Sequence, residues 1–230
     1  MILLPGTKNT MRDLLWMRQN GLEAAVQKAH RAGAIVFGIC GGYQMLGRAF
    51  RTPGVEEGGE LRVDGLRAHA APSLPGAKGT RTRVTGQVQP LPGPLAGLSG
   101  LPVEGYEIHM GVSTAGGEQQ PATRLTDAVT GTEKSEGGAL AAGVYGSYVH
   151  GFFDRPEIAR EIARSLAARK GLDYDAEPGM DYQAYKETQY DLLADTLRRH
   201  LDMEQIYRNF GRRVINPVKI EHGSSASQGY

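Results

Sequence analysis

Cys40, the only cysteine of the chain, stands among glycines in the sequence GICGGYQMLG at residues 38–47. The apolar, β-branched run before it predicts a buried strand, and a helix is expected after it. A residue between a strand and a helix, in a Gly-x-Cys-x-Gly frame, occupies a turn so tight that neighbouring side chains would collide. Gly38 and Gly42 remove those side chains, as in the Gly-x-Ser-x-Gly nucleophile turn. The pattern favours a nucleophilic thiol over a cysteine that only fills the core.

The helix expected at 41–49 would act on this thiol in two ways. Its free N–H groups and the positive end of its dipole lower the pKa of a nearby thiol. The backbone N–H of the next residue, Gly41, can donate to an oxyanion. Both effects favour a thiolate that attacks a carbonyl carbon. The alternative is a buried cysteine that behaves as a small apolar side chain.

A thiol nucleophile also needs a base, and the six histidines are the candidates. His150, in YGSYVHGFFD, stands where a predicted strand ends and a glycine turn begins, the edge at which α/β sheets assemble their sites. His109, in GYEIHMG, is the rival. It alternates with Glu107 on one face of a predicted strand, and a structural or substrate-edge role is favoured for it. The other four stand in predicted helices, a loop or the tail: His30, His69, His200 and His222.

The composition of the chain limits the classes of partner and the compartment that are expected. The 230 residues are enough for one large or two small domains, and 26 Lys and Arg nearly balance 25 Asp and Glu. Because no basic run or aromatic-plus-basic stripe occurs, neither nucleic acid nor a membrane is an expected partner. One cysteine cannot form an internal disulfide, no signal-like segment opens the chain, and no apolar run approaches the roughly 20 residues of a membrane span. These features predict a cytoplasmic protein.

The elements that must position the thiol and its base follow an α/β rhythm. The order of strand, helices, strand and helix predicts a mostly parallel central sheet flanked by helices with right-handed crossovers. These elements are a short strand in MILLPGT, two helices within 10–32 with a break at Asn20-Gly21, a strand at 34–40 and a helix at 41–49.

Beyond this first part the pattern changes. From about 58 to 114, short alternating segments such as RTRVTGQV and VEGYEIHMGVST predict an antiparallel insertion. Polar, glycine-rich residues 115–138 are interpreted as a loop. The remaining predictions are one or two strands ending near His150, a helix at 155–170 with Asp154 as its cap and Pro156 in its first turn, a long helix at 181–210 and a disordered tail at 211–230.

Four stretches resemble, in the same order, motifs of the class I (triad-type) glutamine amidotransferases. They are LPGTKNTMRDLLWMRQNGL near the start, GICGGYQMLG at 38–47, VEGYEIHMG at 103–111 and GSYVHGFFD at 146–154. The Cys-x-Gly-x-Gln spacing by itself indicates only an amidotransferase. The Lys-Asn-Thr segment and the Glu-Ile-His strand narrow the resemblance to the branch of cobyric and cobyrinic acid synthases of cobalamin biosynthesis, and the flavodoxin-like fold of the family is expected.

The resemblance implies a role for each matching position. Cys40 would attack the side-chain amide of glutamine, giving a γ-glutamyl thioester and ammonia, while His150 moves the protons. Backbone N–H groups would form the oxyanion hole, and one side chain, a helical turn beyond the thiol, would touch the bound glutamine. The residues implied in these two roles are Gly6, Thr7 and Gly41 for the oxyanion, and Gln44 for glutamine.

The resembled enzymes use the ammonia in a synthetase domain, which amidates corrinoid carboxylates of adenosylcobyrinic acid a,c-diamide with ATP and magnesium. No cofactor or metal is expected in this chain, which has no Gly-x-x-x-x-Gly-Lys-Ser/Thr loop; GAKGT at 76–80 has the wrong spacing and is interpreted as a turn. The amidotransferase domain is assigned to 1–210. It is expected to begin inside the family's domain, without that domain's first strand and helix.

One position departs from the wider family. Many triad amidotransferases carry Glu two residues after the histidine, but here that residue is Phe152, so His150 must be oriented by another group. Two other functions stay open at this point. The chain could be the glutaminase subunit of a different two-component enzyme, such as a lipid II amidase, or a non-catalytic remnant that acts only as a binding domain.

Overall fold

The computed structural model describes residues 1–47, 49–52, 61–66, 73–113, 119–140, 142–174 and 182–213. The chain divides after Tyr182 into two compact units, Met1–Tyr182 and Gln183–Tyr230. Its elements are β1 Ile2–Leu4, α1 Thr10–Gln19, α2 Leu22–Arg31, β2 Val36–Ile39, α3 Gly41–Met45, β3 Ala49–Thr52, β4 Leu61–Asp64, β5 Ser73–Val88, a 3-10 helix Gly93–Leu98, β6 Pro102–Ser113, β7 Thr123–Asp127, β8 Glu133–Glu136, β9 Gly138–Leu140, β10 Val144–Ser147, α4 Pro156–Ala168, α5 Tyr182–His200 and α6 Met203–Arg213.

Four strands of the first unit form a mostly parallel sheet in the order β1-β2-β10-β9. Both β1 and β10 run parallel to β2, and β9 is antiparallel to β10. All four residues of β2 are buried. The ring of Phe37 lies 5.0 Å from that of Phe152 and 6.2 Å from that of Tyr145, so aromatic packing covers this part of the core. The α/β fold class predicted from the sequence is confirmed.

The second sheet of this unit is antiparallel apart from one parallel bridge between β3 and β5. Its order is β4-β3-β5-β7-β8, and β6 pairs along β5. The antiparallel strands predicted at 58–114 are therefore present, although 53–60 and 67–72 lie outside the described residues. The segment GAKGT belongs to β5, at the register shift between Leu74 and Gly79, so its interpretation as a plain turn was wrong.

Residues 115–138, interpreted as a loop, contain β7 and β8. These strands pair with each other from Thr123↔Glu136 to Thr126↔Glu133, and β7 also pairs with β5. Residues 114–118 lie outside the described part of the chain. Pairing with a neighbouring strand decides strand formation here, because the polar composition gives little local preference for it.

The predicted helices need smaller corrections. The break between α1 and α2 is confirmed, with Gly21 at φ 74. Helix α3 ends at Met45 rather than at 49, because the chain enters β3 at Ala49. Helix α4 follows Arg155, which makes no side-chain cap bond, so the prediction of Asp154 as the cap was wrong.

The last helix predicted at 181–210 is two helices, α5 and α6. Asp202 lies between them and accepts a hydrogen bond from the backbone N–H of Gln205 at 2.9 Å, which starts the second helix. Helix α6 continues through Arg213, three residues into the stretch 211–230 predicted as a tail. Residues 214–230 lie outside the described part of the chain.

Candidate active site

Cys40 occupies the turn between β2 and α3 with φ 50 and ψ −111. It is the only non-glycine residue at positive φ among the described residues. A Cβ at Gly38 would lie 2.6 Å from the carbonyl carbon of Gly42, and a Cβ at Gly42 would lie 2.1 Å from the carbonyl oxygen of Leu4. The glycines on both sides are therefore required by close backbone approach, and the chain holds Cys40 in a strained conformation.

The loop after β1 lies against both the thiol residue and His150. A Cβ at Gly6 would lie 3.0 Å from Cε1 of His150 and 3.5 Å from Cβ of Cys40. A Cβ at Gly41 would lie 2.9 Å from the backbone nitrogen of Thr7. The structure thus brings five of the six sequence-predicted site residues into one small region.

The surroundings of the Cys40 thiol differ from the sequence-based expectation. Burial raises the pKa of Cys40, and the backbone N–H of Gly41 lowers it by a smaller amount. The negative charge of Glu136 also raises the pKa of Cys40. The thiol donates a weak hydrogen bond to the carbonyl oxygen of Ile108 at 3.6 Å. A thiol with a raised pKa stays protonated at neutral pH, so it needs a base to become a nucleophile.

His150 follows β10 and is half-buried. Its backbone pairs with that of Tyr106 on β6 through two hydrogen bonds of 2.8 and 3.1 Å, and the Tyr106 ring stacks on the imidazole at 5.0 Å. Its Nε2 atom is buried without a hydrogen-bond partner. Because burial lowers the pKa of His150, the imidazole is neutral at physiological pH and can accept a proton.

Gln44, the sixth predicted site residue, bridges α3 and β6. Its Nε2 donates to the carbonyl oxygen of Met110 at 3.0 Å and to the Tyr148 hydroxyl at 3.3 Å. Its Oε1 accepts from the hydroxyl of Thr10 at 3.1 Å. These bonds fix the orientation of the amide one turn beyond the thiol, beside the strand that accepts the thiol's own hydrogen bond.

His109, the rival to His150, lies on β6, and its ring stacks on that of Tyr148 at 3.8 Å. Its neighbour on the same face, Glu107, is buried and forms an ion pair with Lys134. The structural or substrate-edge role favoured for His109 stays a prediction. Phe152, at the position where many triad amidotransferases have Glu, is buried against Phe37.

Sequence reasoning missed the carboxylate of Glu136, at the end of β8. It is buried, and burial raises its pKa to about 7. Its partners include the hydroxyl of Ser147 and the backbone N–H of Tyr148, two and three residues before His150. The signal available in the sequence was an acidic residue directly before the two glycines at 137 and 138, in a segment interpreted as a loop.

The ranges that the structure describes hold neither a candidate metal centre nor a membrane-spanning helix. They contain no group of three or more His, Cys, Asp or Glu side chains arranged to hold a metal ion. In the same ranges, every helix is too short or too polar to cross a membrane.

The sheet order and the cysteine turn together define an α/β protein with a thiol on a nucleophile-type turn. The family pattern for the CobB/CobQ-like glutamine amidotransferase domain matches residues 1–158, and the chain belongs to this family. Cobyric acid synthase of Ruminiclostridium cellulolyticum is 45% identical in an alignment of 233 residues that covers 100% of this chain and 44% of the relative. Cobyric acid synthase of Photorhabdus laumondii is 44% identical over 216 residues, which is 90% of this chain and 41% of the relative.

The chain therefore spans about two fifths of the length of these curated relatives. Among solved structures, one described as a glutamine amidotransferase is similar at a TM-score of 0.47 and 17% identity. That alignment covers 72% of this chain and 78% of the other.

Proposed function

We propose that this chain is the glutaminase part of a cobyric acid synthase. It hydrolyses glutamine through a Cys40 thioester and supplies ammonia for ATP-dependent amidation of corrinoid carboxylates, such as those of adenosylcobyrinic acid a,c-diamide. The observation that carries the proposal is the packing at Gly6, where an added Cβ would lie 3.0 Å from Cε1 of His150 and 3.5 Å from Cβ of Cys40, so that one glycine lies against both the proposed base and the proposed nucleophile. The similarity to cobyric acid synthases supports the proposal that the ammonia is used to amidate corrinoid carboxylates.

In the first step, His150 accepts the proton of the Cys40 thiol. Burial raises the pKa of the thiol and lowers that of the imidazole, so both groups are neutral before glutamine binds. The buried Nε2 of His150 has no partner in the described structure, which suits a base that receives this proton. The sulfur then attacks the side-chain carbonyl carbon of glutamine, and a C–S bond forms.

The attack gives a tetrahedral intermediate, and backbone N–H groups bind its oxyanion. The N–H of Gly41 and one from Gly6 or Thr7 are the proposed donors, supported by the close packing of Gly41 on Thr7. His150 returns its proton to the leaving nitrogen, the C–N bond breaks, and ammonia leaves. Water then attacks the thioester with His150 as base, which gives glutamate and the free thiol. Gln44 is the proposed contact for bound glutamine.

The ammonia is proposed to pass to a synthetase domain or chain that binds ATP and magnesium, in agreement with relatives more than twice as long as this chain. Ammonia release from glutamine tests the proposal. The purified chain is assayed alone and with a synthetase domain from a cobyric acid synthase relative, and Cys40→Ser is the control. We expect release that Cys40→Ser lowers to background.

Labelling by diazo-oxo-norleucine gives a second readout. We expect the glutamine-like electrophile to modify Cys40, and excess glutamine to slow that modification. A folded chain that releases no ammonia in either arm and leaves Cys40 unlabelled would refute the proposal in favour of a non-catalytic binding domain. Amidation of a cell-wall lipid substrate, with no effect of a corrinoid competitor, would favour a lipid II amidase instead.

A further inference from the structure

Glu136 is a buried carboxylate on the antiparallel sheet, and both of its oxygens are occupied. Oε1 accepts the backbone N–H of Tyr148. Oε2 accepts the hydroxyls of Ser147 and Thr123, each at 2.9 Å. Two of these three donors belong to the segment that leads directly into His150. The carboxylate therefore attaches the end of β8 to the end of β10.

Ser147 extends this attachment to Cys40. Its backbone carbonyl accepts the N–H of Cys40 at 2.8 Å, and its hydroxyl accepts the N–H of Val149 at 3.0 Å. Ser147 is completely buried, so water does not compete for these bonds. One serine thus links the backbone of the thiol residue to the residue before His150, and Glu136 fixes the hydroxyl of that serine.

We propose that Glu136, acting through Ser147 and the backbone of Tyr148, is a positioning residue that fixes Cys40 and His150 relative to each other. This inference rests on the proposed function of the two residues. The acid found beside the histidine in many triad amidotransferases is replaced by Phe152, and the backbone attachment does the orienting instead. The hydrogen bonds of Glu136 go to Thr123, Ser147 and Tyr148 and not to the side chain of Cys40 or His150, so it acts through the groups it holds and through its charge.

The charge of Glu136 provides a readout that packing alone would not affect. Burial raises the pKa of Glu136 to about 7, with a smaller contribution from the neighbouring carboxylate of Glu107 and against the lowering effect of its hydrogen bond with the backbone of Tyr148. Within the described residues, the charge of Glu136 also raises the pKa of the Tyr43 hydroxyl and of the Cys40 thiol. Removing the charge should therefore lower the pKa of the Cys40 thiol.

The test compares Glu136→Gln with Thr123→Val. The glutamine variant keeps an acceptor for Tyr148 but removes the charge, whereas the valine variant removes a hydroxyl from the same carboxylate oxygen on the side away from His150. For Glu136→Gln we expect kcat to fall about 10- to 100-fold, as expected for misplaced reacting groups, with KM for glutamine unchanged within about twofold. For Thr123→Val we expect both constants within about threefold of the unsubstituted chain.

The same proteins are alkylated with iodoacetamide between pH 6 and 10. We expect the pKa of Cys40 to be lower in Glu136→Gln than in the unsubstituted chain, and unchanged in Ser147→Ala, which keeps the charge. The double variant of Glu136→Gln with Ser147→Ala should lose no more kcat than the worse single variant, because both act through one attachment.

Three results would overturn the inference. They are equal losses of kcat in Glu136→Gln and Thr123→Val, additive losses of kcat in the double variant, or an unchanged pKa of the Cys40 thiol in Glu136→Gln. If Glu136→Gln does not fold, Ser147→Ala alone decides, and an unchanged kcat in that variant overturns the inference. Alkylation needs no glutamine. An unsubstituted chain that releases no ammonia contradicts the proposed function, while the thiol pKa still reports whether Glu136 acts on Cys40.

Discussion

The two sheets of the first unit contribute different kinds of group to the candidate site. The parallel sheet supplies Cys40 and His150, the groups proposed to react, at the ends of neighbouring strands. The antiparallel sheet supplies groups that hold them: the carbonyl of Ile108 on the thiol, the ring of Tyr106 on the imidazole and the carboxylate of Glu136. Reactivity and alignment thus lie on separate sheets, and they can be perturbed separately.

The sharpest test of this division substitutes one histidine from each sheet region, His150 after the parallel strand β10 and His109 on the antiparallel strand β6. His150→Gln removes the proposed base after the parallel strand, and we expect glutaminase turnover to fall about 10²- to 10⁴-fold, the range for general acid–base catalysis. His109→Gln on β6 removes a ring that stacks on Tyr148, and we expect a change of less than about threefold. Steady-state ammonia release measures both. A larger loss from His109→Gln would move the base to the antiparallel sheet.

A second prediction concerns the pH dependence of stability on the antiparallel side. Folding raises the pKa of Glu136 from an ordinary carboxylic value to about 7, so the folded chain holds a proton that the unfolded chain releases. The resulting stabilisation is complete below about pH 4.5 and is lost as pH rises through about 7. We expect the free energy of unfolding, relative to that of Glu136→Gln, to fall by on the order of 3 kcal/mol over this window.

Urea unfolding at a series of pH values measures this difference. Glu133→Gln is the matched control, because Glu133 lies on the same strand but its carboxylate is exposed and pairs with Arg124. We expect no comparable pH dependence from that variant, since exposed ion pairs contribute little. A constant difference between Glu136→Gln and the unsubstituted chain from pH 4 to 8 would show that the buried carboxylate has an ordinary pKa.

The sequence predicted the parallel side better than the antiparallel side for a physical reason. Residues 34–47 combine an apolar strand with glycines that close backbone contacts require, so both the element and its chemistry are local. The packing of Gly6 against His150 depends on tertiary structure, and the sequence pointed to Gly6 as a site residue only through the family resemblance. A helix predicted to 49 ended at Met45 because β3 begins four residues later, which no periodicity within the helix could indicate.

Strand β8 shows why the sequence did not predict this part of the antiparallel sheet or the buried carboxylate of Glu136. Its sequence, EKSE, has no apolar residue, and the glutamate at its end is buried against the usual rule for charged side chains. Its partners come from β7, from β10 and from the residue directly after β10, 11 to 13 residues away along the chain. A polar segment of this kind forms a strand only because it is paired, so propensity favoured a loop.

A smaller effect is expected where the loop after β1 meets the parallel sheet. Gly6→Ala would place a Cβ 3.0 Å from Cε1 of His150, closer than ordinary contact, so the imidazole must shift by a few tenths of an ångström. We expect turnover to fall about tenfold, with little change in thermal stability, because the misplaced group is at the reacting position. Gly131→Ala is a control that separates stability from turnover: nothing lies within 4 Å of its Cβ, but its φ of 69 strains an alanine, so we expect lower stability with turnover unchanged. Equal turnover in Gly6→Ala and the unsubstituted chain would show that His150 does not act from this position.

The smallest effect concerns the strain at the nucleophile turn, which belongs wholly to the parallel side. Cys40 has φ 50, a conformation that costs a residue with a Cβ on the order of 1 to 3 kcal/mol. Both Cys40→Ala and Cys40→Gly remove the thiol, but only Cys40→Gly removes the Cβ that is strained. We expect Cys40→Gly to exceed Cys40→Ala in unfolding free energy by about 1 kcal/mol, after the greater flexibility of glycine in the unfolded chain is offset. Urea unfolding of the two inactive variants measures this difference directly. If Cys40→Ala is the more stable variant, the turn is not strained, and the thiol is held in place by its hydrogen bond to Ile108 on the antiparallel sheet rather than by its own backbone.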